Sequence, residues 1–204
     1  LPPEYSHLYL AVSGELAAAI CIEDPLREES KDIVSALKKA GIRKVVMMTG
    51  DSERTARTIA EKTGVDQFYA EVLPEDKASY IEKEKAKGRK VLMVGDGIND
   101  SPALSAANAG VAVSCGAQIA REIADITISG ENLHQLVTLK RAGSCLMKRI
   151  HRNYRFVIGF NTGLIILGLT GILAPGASAF LHNTSTLAIT LESMTNMLDK
   201  EKVK

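Results

Sequence analysis

Val91-Leu92-Met93-Val94-Gly95-Asp96-Gly97-Ile98-Asn99-Asp100 decides the fold of this chain. Four apolar residues lead into a glycine-framed turn that carries Asp96 and Asp100. A short apolar run bounded by turn signals has the length of a buried strand. Glycine permits a tight turn and a close approach of backbone to a ligand. Open α/β sheets bind ligands beyond the carboxyl ends of their strands, where both carboxylates fall. Two hard anionic oxygen donors beside a phosphate suit Mg²⁺. The same residue types also build ordinary surface turns, so a phosphoryl-transfer site needs further parts from elsewhere.

Outward from this stretch, short apolar runs alternate with helical patterns. Residues 45–48, 67–70, 91–94, 111–113 and 126–128 read as strands, and residues 28–40, 52–62, 74–87, 102–107 and 117–123 as helices. Gly41, Gly64 and Gly88 stand where helix C-termini favour a left-handed residue. This alternation predicts an α/β fold with a parallel sheet covered on both faces. Ahead of it, residues 8–12 and 16–22, joined through Ser13-Gly14-Glu15, predict a β-hairpin.

The pattern changes after Ser129. A helix is expected from Asn132 into a basic cluster of Lys140, Arg141, Lys148, Arg149, His151, Arg152 and Arg155. Residues 156–173 then carry no formal charge and would span about 27 Å as a helix, near the ~30 Å hydrocarbon core of a bilayer. Pro175-Gly176 breaks the run, and residues 177–198 form a second, more polar stretch with His182, Asn183 and Glu192. Together they predict a C-terminal transmembrane helical hairpin, with polar groups facing other helices. Basic residues before it, and Lys200, Lys202 and Lys204 after it, place both ends on the cytoplasmic side. A soluble core helix followed by an amphipathic one is the competing reading. The expected domains are residues 1–138, carrying the sheet, and residues 139–204, carrying the basic helix and the hairpin.

Composition excludes some classes. The chain has 204 residues and a formal net charge of +1, with no global basic signature for nucleic acid. Tryptophan is absent and aromatics are 4%, low for a protein that stacks bases. Cys21, Cys115 and Cys145 show no C-x-x-C spacing and read as buried apolar residues or spare thiols. No signal-peptide pattern and no initiator methionine open the chain, so it is expected to begin inside a longer protein.

Two further strand-end features bear on chemistry. Thr49-Gly50-Asp51 follows the 45–48 strand, and a hydroxyl there, beside a helix opening at Ser52, can donate to a phosphoryl oxygen. An N-cap with a glycine turn explains the same residues structurally. Lys77 lies near the start of a helix, where lysine opposes the helix dipole. It reads as a point charge on phosphate or as a solvated surface residue.

Together these parts resemble the haloacid dehalogenase-like superfamily. Met48-Thr49-Gly50-Asp51, Pro74-Glu75-Asp76-Lys77 and the run from Val94 through Ser101-Pro102-Ala103-Leu104 resemble the phosphorylation domain of P-type ATPases. Asp24-Pro25-Leu26-Arg27 resembles the segment where that family's chain returns from its nucleotide domain. The resemblance implies a haloacid dehalogenase-like Rossmannoid sheet, with Mg²⁺ and ATP as cofactors. It implies that Asp96 and Asp100 bind Mg²⁺, that Asn99 completes the shell, and that Thr49 and Lys77 hold and neutralise the phosphoryl group. Arg27, Gly50 and Asp51, with Thr49, would face the nucleotide.

The family's phosphate acceptor lies in an Asp-Lys-Thr-Gly-Thr motif, which does not occur here. Asp24 lacks that context. The resemblance therefore implies the C-terminal fragment of a pump, working with a nucleotide domain, an actuator domain and further membrane helices. The acceptor strand would lie between the 45–48 and 91–94 strands. Without it these strands are expected to expose open edges or to pair abnormally, leaving the chain marginally stable and inactive.

Only two apolar stretches follow the sheet, which resembles the heavy-metal-transporting branch, located in the cell membrane with its phosphorylation domain in the cytoplasm. The transported transition-metal ion would draw on Asn161, His182, Asn183 and Ser185, whose N and O atoms suit a borderline divalent ion. Polar helix-to-helix hydrogen bonding is the plainer role for each. A soluble phosphatase of the same superfamily and a non-catalytic, membrane-tethered module remain open as alternatives.

Overall fold

The computed structural model describes residues 5–22, 26, 29–96, 99–114, 123–130 and 132–197, in two compact units, Leu1–Val137 and Thr138–Lys204. Asp24, Arg27, Gly97, Ile98, Cys115, most of the helix expected over 117–123 and the three C-terminal lysines lie outside the described residues.

The first unit opens with an antiparallel hairpin of β1 (Ser6–Val12) and β2 (Glu15–Ile22). Ser13 at φ 53° and Gly14 at φ 84° form its turn. Positive φ at both central residues matches the right-handed twist of the strands. Leu8, Leu10, Leu16 and Ile20 are all exposed, so the apolar side chains of the hairpin are covered on neither face.

Then come α1 (Ser30–Lys39), β3 (Val46–Met48), α2 (Glu53–Thr63), β4 (Gln67–Tyr69), α3 (Pro74–Ala86), β5 (Leu92–Gly95), α4 (Ser101–Ala106), β6 (Ala109–Ser114) and β7 (Ile126–Ser129). Local chemistry sets the boundaries. The Ser52 hydroxyl accepts from the Thr55 N–H to start α2, and Gly64, at φ 74°, ends it. Pro74 stands in the first turn of α3, where a missing N–H costs nothing, and Glu75 and Asp76 complement the helix dipole.

The strands are parallel, as expected, but they form two separate sheets. β3 pairs with β4, and β5, β6 and β7 run in that order. Among the described residues β3 and β5 do not pair with each other. This is the outcome expected of a sheet whose central strand is not in the chain. Burial follows the same division. Val111 and Ala112 of β6 are fully buried beneath Ala103 and Leu104 of α4, whereas Val46, Met47 and Met48 of β3 are only half-buried. One helix touches both the β3–β4 sheet and α4, which packs on β6. Tyr80 of α3 packs its ring against Tyr69 of β4, with centroids 5.1 Å apart, and Lys85 of α3 donates to the Ala106 carbonyl at the end of α4.

Asp66 ties the β3–β4 sheet to α1. Its carboxylate accepts from Lys38 Nζ at 2.7 Å and from the Val45 N–H at 2.8 Å. Lys38 first, and then that N–H, hold the Asp66 pKa below its ordinary value of 3.8. A depressed carboxylate contributes stability that is present above its unfolded pKa and is lost as pH falls through the folded one. Asp66→Asn is therefore expected to lower the thermal midpoint at pH 7, with the difference from the parent shrinking below about pH 4. A difference that stays constant from pH 7 to pH 2 contradicts this linkage.

The second unit holds α5 (His134–Leu169), which begins in the first, and α6 (Pro175–Ser193). The uncharged run over 156–173 is not one helix. α5 stops at Leu169, because Gly171 adopts φ 73° and the Ile172 N–H returns to the Leu167 carbonyl at 3.1 Å. Among the described residues no helix is long and apolar enough to cross a membrane. The helix–turn–helix arrangement itself is present.

Candidate active site

β5 ends at Gly95, and the chain returns to place Asp100 at the N-cap of α4. Aspartate is a favoured N-cap because its carboxylate can satisfy an orphan N–H of the first turn. Asp100 makes no such bond. Its Oδ1 accepts from Lys77 Nζ at 2.7 Å, and each of the two side chains is only 13% exposed. Gly95 makes room for this. A Cβ at Gly95 would lie 2.7 Å from Asp100 Cβ and 2.8 Å from its Cγ, inside any ordinary contact. The Lys77 N–H bonds the Leu73 carbonyl in the first turn of α3, so its ammonium sits at the unfavourable end of the dipole. Asp100 offsets that charge. Asp96 and Asn99 are exposed at the mouth of the same turn.

A second group stands at the end of β3. The Thr49 hydroxyl donates to Asp51 Oδ2 at 2.6 Å and accepts from the Asp51 N–H at 3.1 Å. Backbone bonds join this loop to the one after β4: the Thr49 N–H to the Tyr69 carbonyl, the Val72 N–H to the Thr49 carbonyl and the Glu71 N–H to the Asp51 carbonyl, each at 3.0 Å. Both groups therefore stand at carboxyl ends of parallel strands, each on its own sheet. A cavity of about 290 Å³ lies beside the second group, lined among others by Met48, Tyr69, Glu71, Asp76, Tyr80 and Lys83. Burial and then Tyr80 push the Tyr69 phenol above its ordinary pKa.

The structure thus joins Lys77 to Asp100 and Thr49 to Asp51. Gly50 lies between the last two, and a Cβ there would meet the Val72 carbonyl oxygen at 4.0 Å, an ordinary contact. Arg27 lies outside the described residues. Of the ion candidates, His182 Nδ1 meets Asn161 Oδ1 at 2.9 Å, and the Ser185 hydroxyl donates to the His182 carbonyl at 2.8 Å. Among the described residues no cluster of three or more His, Cys, Asp or Glu side chains could hold a metal. Mg²⁺ asks for less, since it keeps several waters and takes one or two carboxylates. The all-oxygen set of Asp96, Asn99 and Asp100 at one turn fits that demand.

Sequence reasoning did not single out α3 as the helix that touches both β4 and α4, nor Gly95 as the seat of the Asp100 side chain. The glycine was visible as a turn-former. Which side chain needs its missing Cβ depends on a contact five residues away in the folded turn.

Comparison with known proteins bears on the whole chain. Residues 4–108 match the family described as haloacid dehalogenase-like hydrolase. A zinc-exporting P-type ATPase of Mycobacterium marinum is 38% identical over 187 residues, 91% of this chain and 26% of that protein. A copper-exporting P-type ATPase of Bacillus subtilis is also 38% identical, over 97% of this chain and 24% of its own length. The crystal structure of a zinc-transporting PIB-type ATPase in an E2.Pi state superposes with a TM-score of 0.76 at 28% identity, covering 94% of this chain and 31% of that one. The chain thus spans about a quarter of the length of the curated relatives it matches.

Proposed function

This chain belongs to the haloacid dehalogenase-like hydrolase family, and on that premise we propose that it serves as the phosphorylation-domain portion of an ATP-driven heavy-metal exporter. The observation that carries this reading is the Lys77–Asp100 pair. Asp100 forgoes its capping bond, and a lysine at the wrong end of a helix dipole is fixed beside it at the end of a parallel strand. Ion pairing this well enclosed has a use where a phosphoryl group must be bound and neutralised.

In this reading Asp96 and Asp100 hold Mg²⁺ with Asn99 completing the shell. The ion, when bound, neutralises phosphoryl oxygens. Lys77 adds a second positive charge, oriented by Asp100. The Thr49 hydroxyl donates to a phosphoryl oxygen after exchanging its bond to Asp51, and Gly50 lets the nucleotide phosphates approach the backbone. Asp51 and Arg27 face the nucleotide. The acceptor aspartate comes from a strand seated between β3 and β5, supplied by the rest of the pump polypeptide along with its nucleotide and actuator domains.

The second unit supplies the last membrane helices of the pump, with the α/β unit in the cytoplasm. Support comes from the basic residues before the uncharged run and from the exposed Phe156, Ile158, Ile165, Ile166 and Leu169 of α5. Asn161 and His182 contribute to the path of the exported ion, with Asn183 and Ser185 as further donors. Equal identity to zinc and copper exporters leaves the metal to experiment.

The test has two arms. Sequencing the gene upstream of Leu1 is expected to reveal an in-frame Asp-Lys-Thr-Gly-Thr motif. The polypeptide containing it is then expected to form an acid-stable phosphoenzyme from ATP, stimulated by a transition metal, whereas the 204-residue chain forms none. Phosphoenzyme on the 204-residue chain would refute the divided site. A start codon beside Leu1 would favour the membrane-tethered module.

A further inference from the structure

We propose that Arg149 is a positioning residue: it caps the C-terminus of α6 and so sets the register that brings Asn161 of α5 against His182 of α6. The inference concerns the helix pair itself and does not depend on the transport reading.

The last carbonyls of a helix have no partner within it. At the end of α6 one of these, the Ser193 carbonyl, and groups of the two residues Thr195 and Asn196 just past the helix converge on one side chain. Arg149 Nη1 donates to the Ser193 carbonyl at 3.0 Å and to the Thr195 carbonyl at 2.8 Å. Its Nη2 donates to Thr195 Oγ1 at 3.2 Å and to the Asn196 carbonyl at 3.4 Å. A guanidinium is a rigid planar fork with five donors, so one side chain can bind several carbonyls at once. Its charge also complements the negative end of the α6 dipole.

Two neighbours on the same face of α5 extend the contact. Arg152 pairs with Glu192, and Asn153 Nδ2 donates to Ser193 Oγ at 2.9 Å. Positions 149, 152 and 153 are three and four residues apart, which aligns them along one stripe. Two other basic residues keep these bonds within α5. Arg155 donates to the His151 carbonyl of its own helix, and Lys140 to Ser144 Oγ. Arg149 and Arg152 thus differ from Arg155 and Lys140 in sending their donors to α6, and of the two it is Arg149 that binds backbone carbonyls there.

Rise per residue links this clasp to the second polar contact. Asn161 lies about 18 Å along α5 from Arg149, and His182 about 16 Å along α6 from Ser193, at 1.5 Å per residue. The two arms match, so fixing one end places Asn161 level with His182. Between the two contacts α5 carries Phe156, Val157, Ile158 and Phe160, and α6 carries Leu187, Ala188, Ile189 and Leu191; apolar contact is non-directional and tolerates sliding. Packed elements slip by whole turns of about 5.4 Å. A slip of that size would part Asn161 from His182, and the directional bonds of Arg149 oppose it. Asn161 Oδ1 can only accept, so the contact places the proton of His182 on Nδ1.

The experiment uses the full 204-residue chain in detergent micelles with ¹⁵N-labelled histidine and arginine. In the parent, His182 is expected as the Nδ1–H tautomer. Arg149→Gln is expected to lose that signature, with a shift toward the mixture of an unpartnered imidazole. Arg155→Gln, which removes the same charge from the same helix, is expected to keep it. Retention of the parent tautomer in Arg149→Gln would overturn the proposal, as would equal loss in both variants. A second measurement needs no variant. The Arg149 guanidinium of the parent is expected to rotate slowly, with hydrogen-bonded Nη protons. Rotation as fast as that of Arg54, an exposed residue, would also overturn it.

Discussion

Lys77→Met is expected to destabilise the α/β unit by about 3 kcal/mol, because it leaves the Asp100 carboxylate enclosed without its ammonium partner. The 13% exposure of both side chains keeps solvent from compensating. The double variant Lys77→Met/Asp100→Leu is expected to recover most of that loss, since replacing a buried ion pair by apolar groups of similar size is often neutral or stabilising. Thermal unfolding of the single and double variants measures this coupling directly. An N-cap role for Asp100 predicts the opposite pattern. Lys77→Met would then be nearly silent, and the double variant would lose about 1 kcal/mol for the missing cap. Phosphoenzyme formation by the complete polypeptide separates stability from function. Both variants are expected to lose it, the double variant despite its recovered fold.

Gly95→Ala is expected to cost about 1–3 kcal/mol through overpacking, and with it the position of the Asp100 carboxylate. The added methyl would stand 2.7 Å from Asp100 Cβ, a backbone-linked atom that cannot swing aside as the end of a long side chain can. Either the β5 turn shifts or Asp100 leaves Lys77. Asp96→Ala makes an informative contrast. Its side chain is exposed, so its removal is expected to cost less stability than the overpacking at Gly95. In the complete polypeptide both variants are expected to abolish Mg²⁺-dependent phosphorylation. Normal phosphoenzyme levels in Asp96→Ala would remove that residue from the metal shell. Parental stability in Gly95→Ala would remove the steric account of Asp100.

The two variants illustrate what can be read from a strand end before folding. The 91–94 strand, the glycine-framed turn and its two carboxylates were legible because strand length, turn residues and charge are local. The same holds for the Ser52 cap, the left-handed Gly64 and the glycine-containing turn of the hairpin, which the structure shortens to Ser13-Gly14. The uncharged run over 156–173 was legible as an apolar segment, but its helical limits were not. Absence of charge marks an apolar segment but not its helical limits, and Gly171 ended the helix earlier.

The sequence by itself determined the order of elements, the residue types at each strand end and the absence of an Asp-Lys-Thr-Gly-Thr acceptor. Only the tertiary structure decided which of those residues meet. Lys77 reaches Asp100 across 23 positions, and Arg149 reaches Thr195 across 46. It also decided that the parallel strands divide between β3–β4 and β5–β6–β7, with α3 touching β4 and α4. The reason is physical. Helix caps and turns close over three or four residues and are encoded there. Strand pairing, ion pairs between helices and the space under a glycine depend on distant segments arriving together, with their hydrogen bonds and volumes matched.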